Sequence, residues 1–217
     1  MSSTIFEKKK NKKRMDKFEA NCSELIDQGY RRRDILFSER ADIWKGILYV
    51  LPVILVQAFT FPLLVQDEHR FSALWKLILF IAVGYLVLVL VHELIHGLFW
   101  GMFAKNHFKD VGFGVSKGGN PYCYCGSTLT TGQYLLGALM PTVILGIGTW
   151  IAAIVMKNFQ MLLLSMLIIG GGAGDMVVAK SVLSLDMEDK EILCCDHPNE
   201  LGLVVFEKDM RNEKGTK

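Results

Sequence analysis

The sequence predicts an all-α membrane protein of about four transmembrane helices, with a short β-hairpin-like loop between spans two and three. Three observations predict this. First, 51% of the 217 residues are hydrophobic, a share that soluble domains also reach, so arrangement has to decide. Second, four stretches have the roughly 20 apolar residues needed to cross a hydrocarbon core of about 30 Å: Gly46–Gln66, Leu77–Ala104, Tyr134–Met156 and Asn158–Ala179. Third, these stretches are apolar nearly all round, whereas a core helix of a soluble bundle keeps a polar face. Their only formal charges are Glu93 in the second and Asp175 in the fourth.

Residues 1–42 read as a basic, partly amphipathic helical segment on the cytoplasmic side. The runs Lys8-Lys9-Lys10, Lys12-Lys13-Arg14 and Arg31-Arg32-Arg33 are the opposite of a cleavable leader, which needs an apolar core close behind its basic residues. Beside a membrane span, such runs mark the cytoplasmic face or a contact with anionic lipid rather than nucleic acid. Residues 43–185 form the four-span unit. Pro52 and Pro62 kink or end span one, and Pro141 interrupts span three, where neighbouring helices must satisfy the freed carbonyl. The loop 105–133 holds Gly112, Gly114, Gly118, Gly119, Asn120 and Pro121. That dense turn chemistry leaves two β-friendly pieces, Val111–Val115 and Tyr122–Thr128, free to pair. Residues 186–217 form an acidic cytoplasmic tail with a strand at Gly202–Phe206.

With the amino terminus inside, only Arg70, Lys76 and Lys157 fall in outer segments, and every other Lys and Arg lies on the cytoplasmic side. That asymmetry predicts a multi-pass protein with both termini cytoplasmic. All five cysteines then sit in a reducing compartment, which argues against structural disulfides. Cys123-x-Cys125 with Cys194-Cys195 lacks CxxC spacing and reads as free thiols rather than a metal site.

Chemistry concentrates at His92-Glu93-Leu94-Ile95-His96. Residues four apart share one helix face, so His92 and His96 aim two imidazoles at one point, the bite a tetrahedral Zn²⁺ requires. Glu93 lies at its edge, placed to deprotonate a metal-bound water. Ionisable groups inside a membrane helix cost about 2.5 kcal/mol or more each, so three within five residues are rarely idle. The bland alternative is a helix that ends near Val91, but Gly97–Ala104 resumes the apolar run.

A catalytic zinc needs a third protein ligand and an open position. A metzincin continuation would place Gly at 99 and His at 102, where this chain has Phe99 and Met102. Glu188, Glu191 and Glu200 in the tail are candidates. Asp175 is the stronger one, because spans two and four put it and the histidines toward the same end. Gly170-x-x-x-Gly174 and Gly97-x-x-x-Gly101 offer small faces on which the two spans could approach closely. Asp175 could instead pair with Lys180 or relay protons. His197, in Asp196-His197-Pro198, reads first as a turn residue and second as a group near the metal.

HELIH within a span, Gly172-Ala173-Gly174-Asp175 in a later span and Asp196-His197-Pro198 in the tail resemble a family of bacterial membrane zincin peptidases related to the site-2 proteases. The resemblance covers roughly residues 80 to 207. It implies an intramembrane zinc metalloprotease of the bacterial cell membrane, cleaving membrane-spanning or membrane-associated substrates near the cytoplasmic edge. By position, His92, His96 and Asp175 would hold Zn²⁺ and Glu93 would be the general base. The chain departs from the site-2 pattern in having Gly174 and Met176 around Asp175, and no Asn beside Pro141. Asn120, Gln133 and His197 are left as candidates for transition-state stabilisation. The loop hairpin resembles the strands on which site-2 proteases align an extended substrate. The competing reading is a metal-binding transporter or a catalytically silent scaffold, whose discriminating residue is Glu93.

Overall fold

A computed structural model describes residues 5–65, 74–116 and 119–211. Most of the expected outer loop Gln66–Lys76, with Arg70, lies outside these, as do Lys117 and Gly118 of the hairpin turn.

The described chain is mostly helical. Helix α1 (Ile5–Asp27) is followed by strand β1 (Arg31–Leu36), then by the long apolar helices α2 (Glu39–Leu64) and α3 (Leu74–Phe103). Three helical stretches are long and apolar enough to cross a membrane: Asp42–Leu64, Leu74–Phe103 and Thr131–Val155. A fourth candidate is a pair bent by 45°, α6 (Phe159–Gly171) and α7 (Ala173–Leu183). The three consecutive glycines at 170–172 explain the break, since glycine gives up the most backbone entropy in a helix. At 30 residues, α3 is about 45 Å long and overruns a bilayer core. Its last turns therefore bury His92, Ile95, His96, Gly97, Trp100 and Gly101 against other protein segments.

The third span is not a uniform helix. It begins as α4 (Thr131–Pro141), widens into a π turn (Thr142–Ile147) and resumes as α5 (Gly148–Val155). Two carbonyls of this segment accept from hydroxyls. Ser165 of α6 donates to the Gly146 carbonyl at 2.7 Å, and Thr149 donates to that of Leu145 at 2.5 Å. Gln57 of α2 in turn donates to the Ser165 hydroxyl at 2.8 Å, and both Gln57 and Ser165 are fully buried. Pro141 has no N–H of its own to offer the Gly137 carbonyl one helical turn back.

The expectation of an all-α chain with one hairpin-like loop is too narrow. Strands β2 (Val111–Val115) and β3 (Pro121–Cys125) do form an antiparallel hairpin, with Phe113 opposite Cys123. A second, four-stranded antiparallel sheet also forms, in the order β1-β6-β5-β4, from β4 (Leu129–Thr130), β5 (Lys190–Asp196) and β6 (Gly202–Asp209). The predicted strand at Gly202–Phe206 is its centre, with Val204 opposite both Asp34 and Cys195. Strand β1 escapes a hydropathy reading because Arg31, Arg32, Arg33 and Asp34 all face solvent, as suits a charged edge strand. Helix α1 packs Phe18, Cys22 and Leu25 onto Cys195, Val204 and Phe206. The basic segment, the loop and the tail thus build one cap at the end of the bundle where α3 finishes.

Candidate metal centre

His92 and His96 lie one turn apart on α3, and Asp175 lies in the first turn of α7. The break at Gly172 aims the positive end of the α7 dipole at this spot, where a carboxylate is favoured. His92 Nε2 is 3.1 Å from His96 Nε2 and 3.0 Å from Asp175 Oδ2, and His96 Nε2 is 3.5 Å from Asp175 Oδ1. Tetrahedral zinc with bonds of about 2.0–2.2 Å sets its ligand atoms about 3.3 Å apart, so these spacings fit the ion.

The chemistry of the donors fits as well. His96 Nδ1 lies 2.8 Å from the Gly137 carbonyl. A carbonyl can only accept, so Nδ1 carries the hydrogen, and in the neutral imidazole Nε2 keeps its lone pair. That carbonyl is the one Pro141 leaves without its helical partner, so an interrupted span supplies the orienting acceptor that metal-binding histidines characteristically have. His96 also stacks on Trp100 at 5.0 Å between ring centroids, and Trp100 on Tyr134 at 5.5 Å. Trp100 Nε1 donates to the Tyr134 carbonyl at 3.1 Å. Gly137 faces the Trp100 indole so closely that a Cβ there would overlap it.

Glu93 completes the cluster. One ligand-capable atom each from His92, Glu93 and His96 lie within 4.8 Å of one another. Glu93 Oε2 accepts the Cys123 N–H at 2.6 Å, and Asp196 Oδ2 accepts the Cys125 N–H at 2.7 Å. One edge of β3 pairs with β2, and the opposite edge faces the cluster. Tyr134 donates from its hydroxyl to Asp196 Oδ1 at 2.5 Å. Burial raises the Asp196 carboxyl above its ordinary value despite these donors and the nearby Arg14. Burial, reinforced by the Asp196 and Glu93 carboxylates, also raises the Cys123 thiol. Cys123 is therefore a protonated neighbour of the site, and all five cysteines are free thiols as expected.

The four residues singled out in the sequence, His92, Glu93, His96 and Asp175, come together. The tail alternatives Glu188, Glu191 and Glu200 are exposed instead. His197 forms a turn, its Nδ1 accepting the Glu200 N–H at 2.8 Å. Gln133 is committed to the α4 capping box with Thr130, and Asn120 to the hairpin turn, its N–H donated to Ser116 Oγ.

The glycine expectation needs correction. A Cβ at Gly170 or Gly174 would meet nothing within 4 Å, so neither glycine is needed for a close helix approach. Gly97 receives the Phe113 ring of β2, and Gly101 receives Phe108. The close approach to span four's break is made by Gly172 against Thr142, and by Gly46 of α2 against Ala173.

Fold and site together define a helical protein with apolar, span-length helices and, in the last turns of one of them, a His-Glu-His cluster whose two histidines are buried. Residues 85–187 match a family model described as "Putative zincin peptidase". The match begins seven residues before His92 and takes in Asp175. No curated protein and no solved structure matches the chain.

Proposed function

We propose that the chain is an intramembrane zinc metalloprotease in which His92, His96 and Asp175 hold the ion and Glu93 is the general base. Its partners on this reading are the lipid bilayer and a membrane-spanning or membrane-associated peptide. The observation that carries it is the convergence of two imidazole nitrogens and a carboxylate at 3.0–3.5 Å, three acceptors that have a common need of a cation. When bound, zinc would supply Lewis acidity, polarising a carbonyl and making water acidic near neutral pH.

The remaining work falls to the chain. Glu93 takes a proton from the attacking water and returns it to the leaving nitrogen. The Cys123 N–H orients one carboxylate oxygen, leaving the other to handle the proton. Gly137 fixes which His96 nitrogen points inward. A substrate strand laid along the β3 edge would compete for the Cys123 N–H, coupling substrate arrival to the freeing of Glu93.

The test uses purified full-length protein and a model membrane peptide. Glu93→Gln should keep its zinc and lose about 100-fold or more in cleavage rate. His92→Ala should lose both. Full activity in zinc-loaded Glu93→Gln would end the protease mechanism, and zinc binding without cleavage in wild type would favour a transporter or scaffold.

A further inference from the structure

The geometry points to Thr142, the first residue of the π turn, as the positioning residue that holds Asp175 through its hydroxyl. This rests on the reading of Asp175 as a ligand. Helical hydroxyls in this protein normally turn back onto their own helix. Thr60 donates to the Val56 carbonyl at 2.6 Å, and Ser181 donates to that of Val177 at 2.9 Å. Thr142 does not. Its Oγ1 is buried and has no hydrogen-bond partner among the described residues. The hydroxyl instead presses against Gly172 at the break of span four: a Cβ at Gly172 would overlap Thr142 Oγ1 and lie 3.6 Å from Asp175 Oδ2. Hydroxyl and carboxylate therefore flank the same glycine.

An orphaned buried hydroxyl costs free energy, so a side chain kept in this orientation needs a reason. Asp175 supplies one. Its two oxygens face His92 and His96, and a ligating carboxylate is characteristically held by a further hydrogen bond from behind. Thr142 is the donor placed to make it once the carboxylate settles on an ion. The π turn presents that hydroxyl to span four, as π bulges often do at functional sites. Gly172 is glycine because any side chain would separate the two groups.

The experiment measures zinc affinity of the full-length protein by competition with a chromophoric chelator, and thermal melting of the metal-free protein. Thr142→Val should weaken zinc binding about 10-fold, and Thr142→Ser should restore it. The metal-free Thr142→Val protein should melt no lower than wild type, because the substitution removes an unpartnered polar atom. In an Asp175→Asn background, Thr142→Val should add no further loss. Wild-type affinity in Thr142→Val, with zinc lost in His92→Ala and Asp175→Asn, overturns this inference and leaves the zinc site standing. A metal-free melting point lowered in both Thr142 variants would mark a structural role and overturn it too. Unchanged zinc affinity in Asp175→Asn removes the ligand reading, and this one with it.

Discussion

At the scale of residues, the centre depends on backbone as much as on side chains. Gly137 serves it twice, through a carbonyl that fixes the His96 tautomer and through the missing Cβ that admits Trp100. Gly137→Ala should therefore cost about 1–3 kcal/mol by overpacking and weaken zinc binding about 10-fold or more as the carbonyl moves. Gly170→Ala, into open space, should be neutral or stabilise by up to about 1 kcal/mol through helix propensity. Melting curves and chelator titration on the two variants check both halves. The contrast is instructive about what a sequence discloses. The two histidines, Glu93 and Asp175 were legible because charge in an apolar helix is costly and four-residue spacing fixes a shared face. Which glycine mattered was not legible. Gly170, Gly172 and Gly174 look alike in sequence, and only the bend at residue 172 decides which of them meets a neighbour.

At the scale of elements, spans announce themselves by composition, whereas strands built on distant pairing do not. Strand β1 is half arginine and meets β6 from the far end of the chain, so no local pattern encodes the pair. The same holds for the polar links that steady the π turn. Ser165→Ala would strand both the Gln57 amide and the Gly146 carbonyl in an apolar interior, at about 1–3 kcal/mol. Adding Gln57→Leu should recover part of that loss, because the second orphan is then gone. A double-mutant melting cycle reads the coupling.

The docking of α1 is an electrostatic matter as well. Asp110 is buried and accepts from Lys17, Ser127 and the Asn106 backbone N–H. Burial raises its carboxyl, but the Lys17, Ser127 and Asn106 donors outweigh that and hold it below the ordinary value. A carboxyl depressed in the folded state stabilises the fold above its unfolded pKa of about 4, and that contribution is lost as pH falls below it. Acidification should therefore loosen α1, and Asp110→Asn should do so at neutral pH by about 2 kcal/mol. Proteolytic cleavage near Lys12 and Arg14, followed across pH, reports the change. Equal protection of the variant and wild type at pH 7 would show that the helix is held without the Asp110 contacts.

At the scale of the whole molecule, the four-stranded sheet would constrain how the chain threads a bilayer on the proposed reading. It gathers β1 from before the first span, β4 from between the second and third, and β5 and β6 from after α7. Strands from all three places can share one sheet only if the number of crossings between them is even, which favours counting α6 and α7 as one bent span. On the proposed membrane reading, the positive-inside asymmetry would set that sheet in the cytoplasm and the Lys157 turn outside. Introduced cysteines test this, because the native thiols make a quiet background. Burial pushes Cys125 and Cys194 up to about 12 and raises Cys22, Cys123 and Cys195 as well. All five are therefore protonated and slow to react near neutral pH. A membrane-impermeant maleimide should label Lys157→Cys in intact cells, and Lys12→Cys and Arg211→Cys only after permeabilisation. Labelling of Arg211→Cys together with Lys157→Cys from outside would make α6 and α7 a re-entrant loop. It would also part β6 from β1 by the width of the membrane, leaving the cap over the metal centre without its central strand.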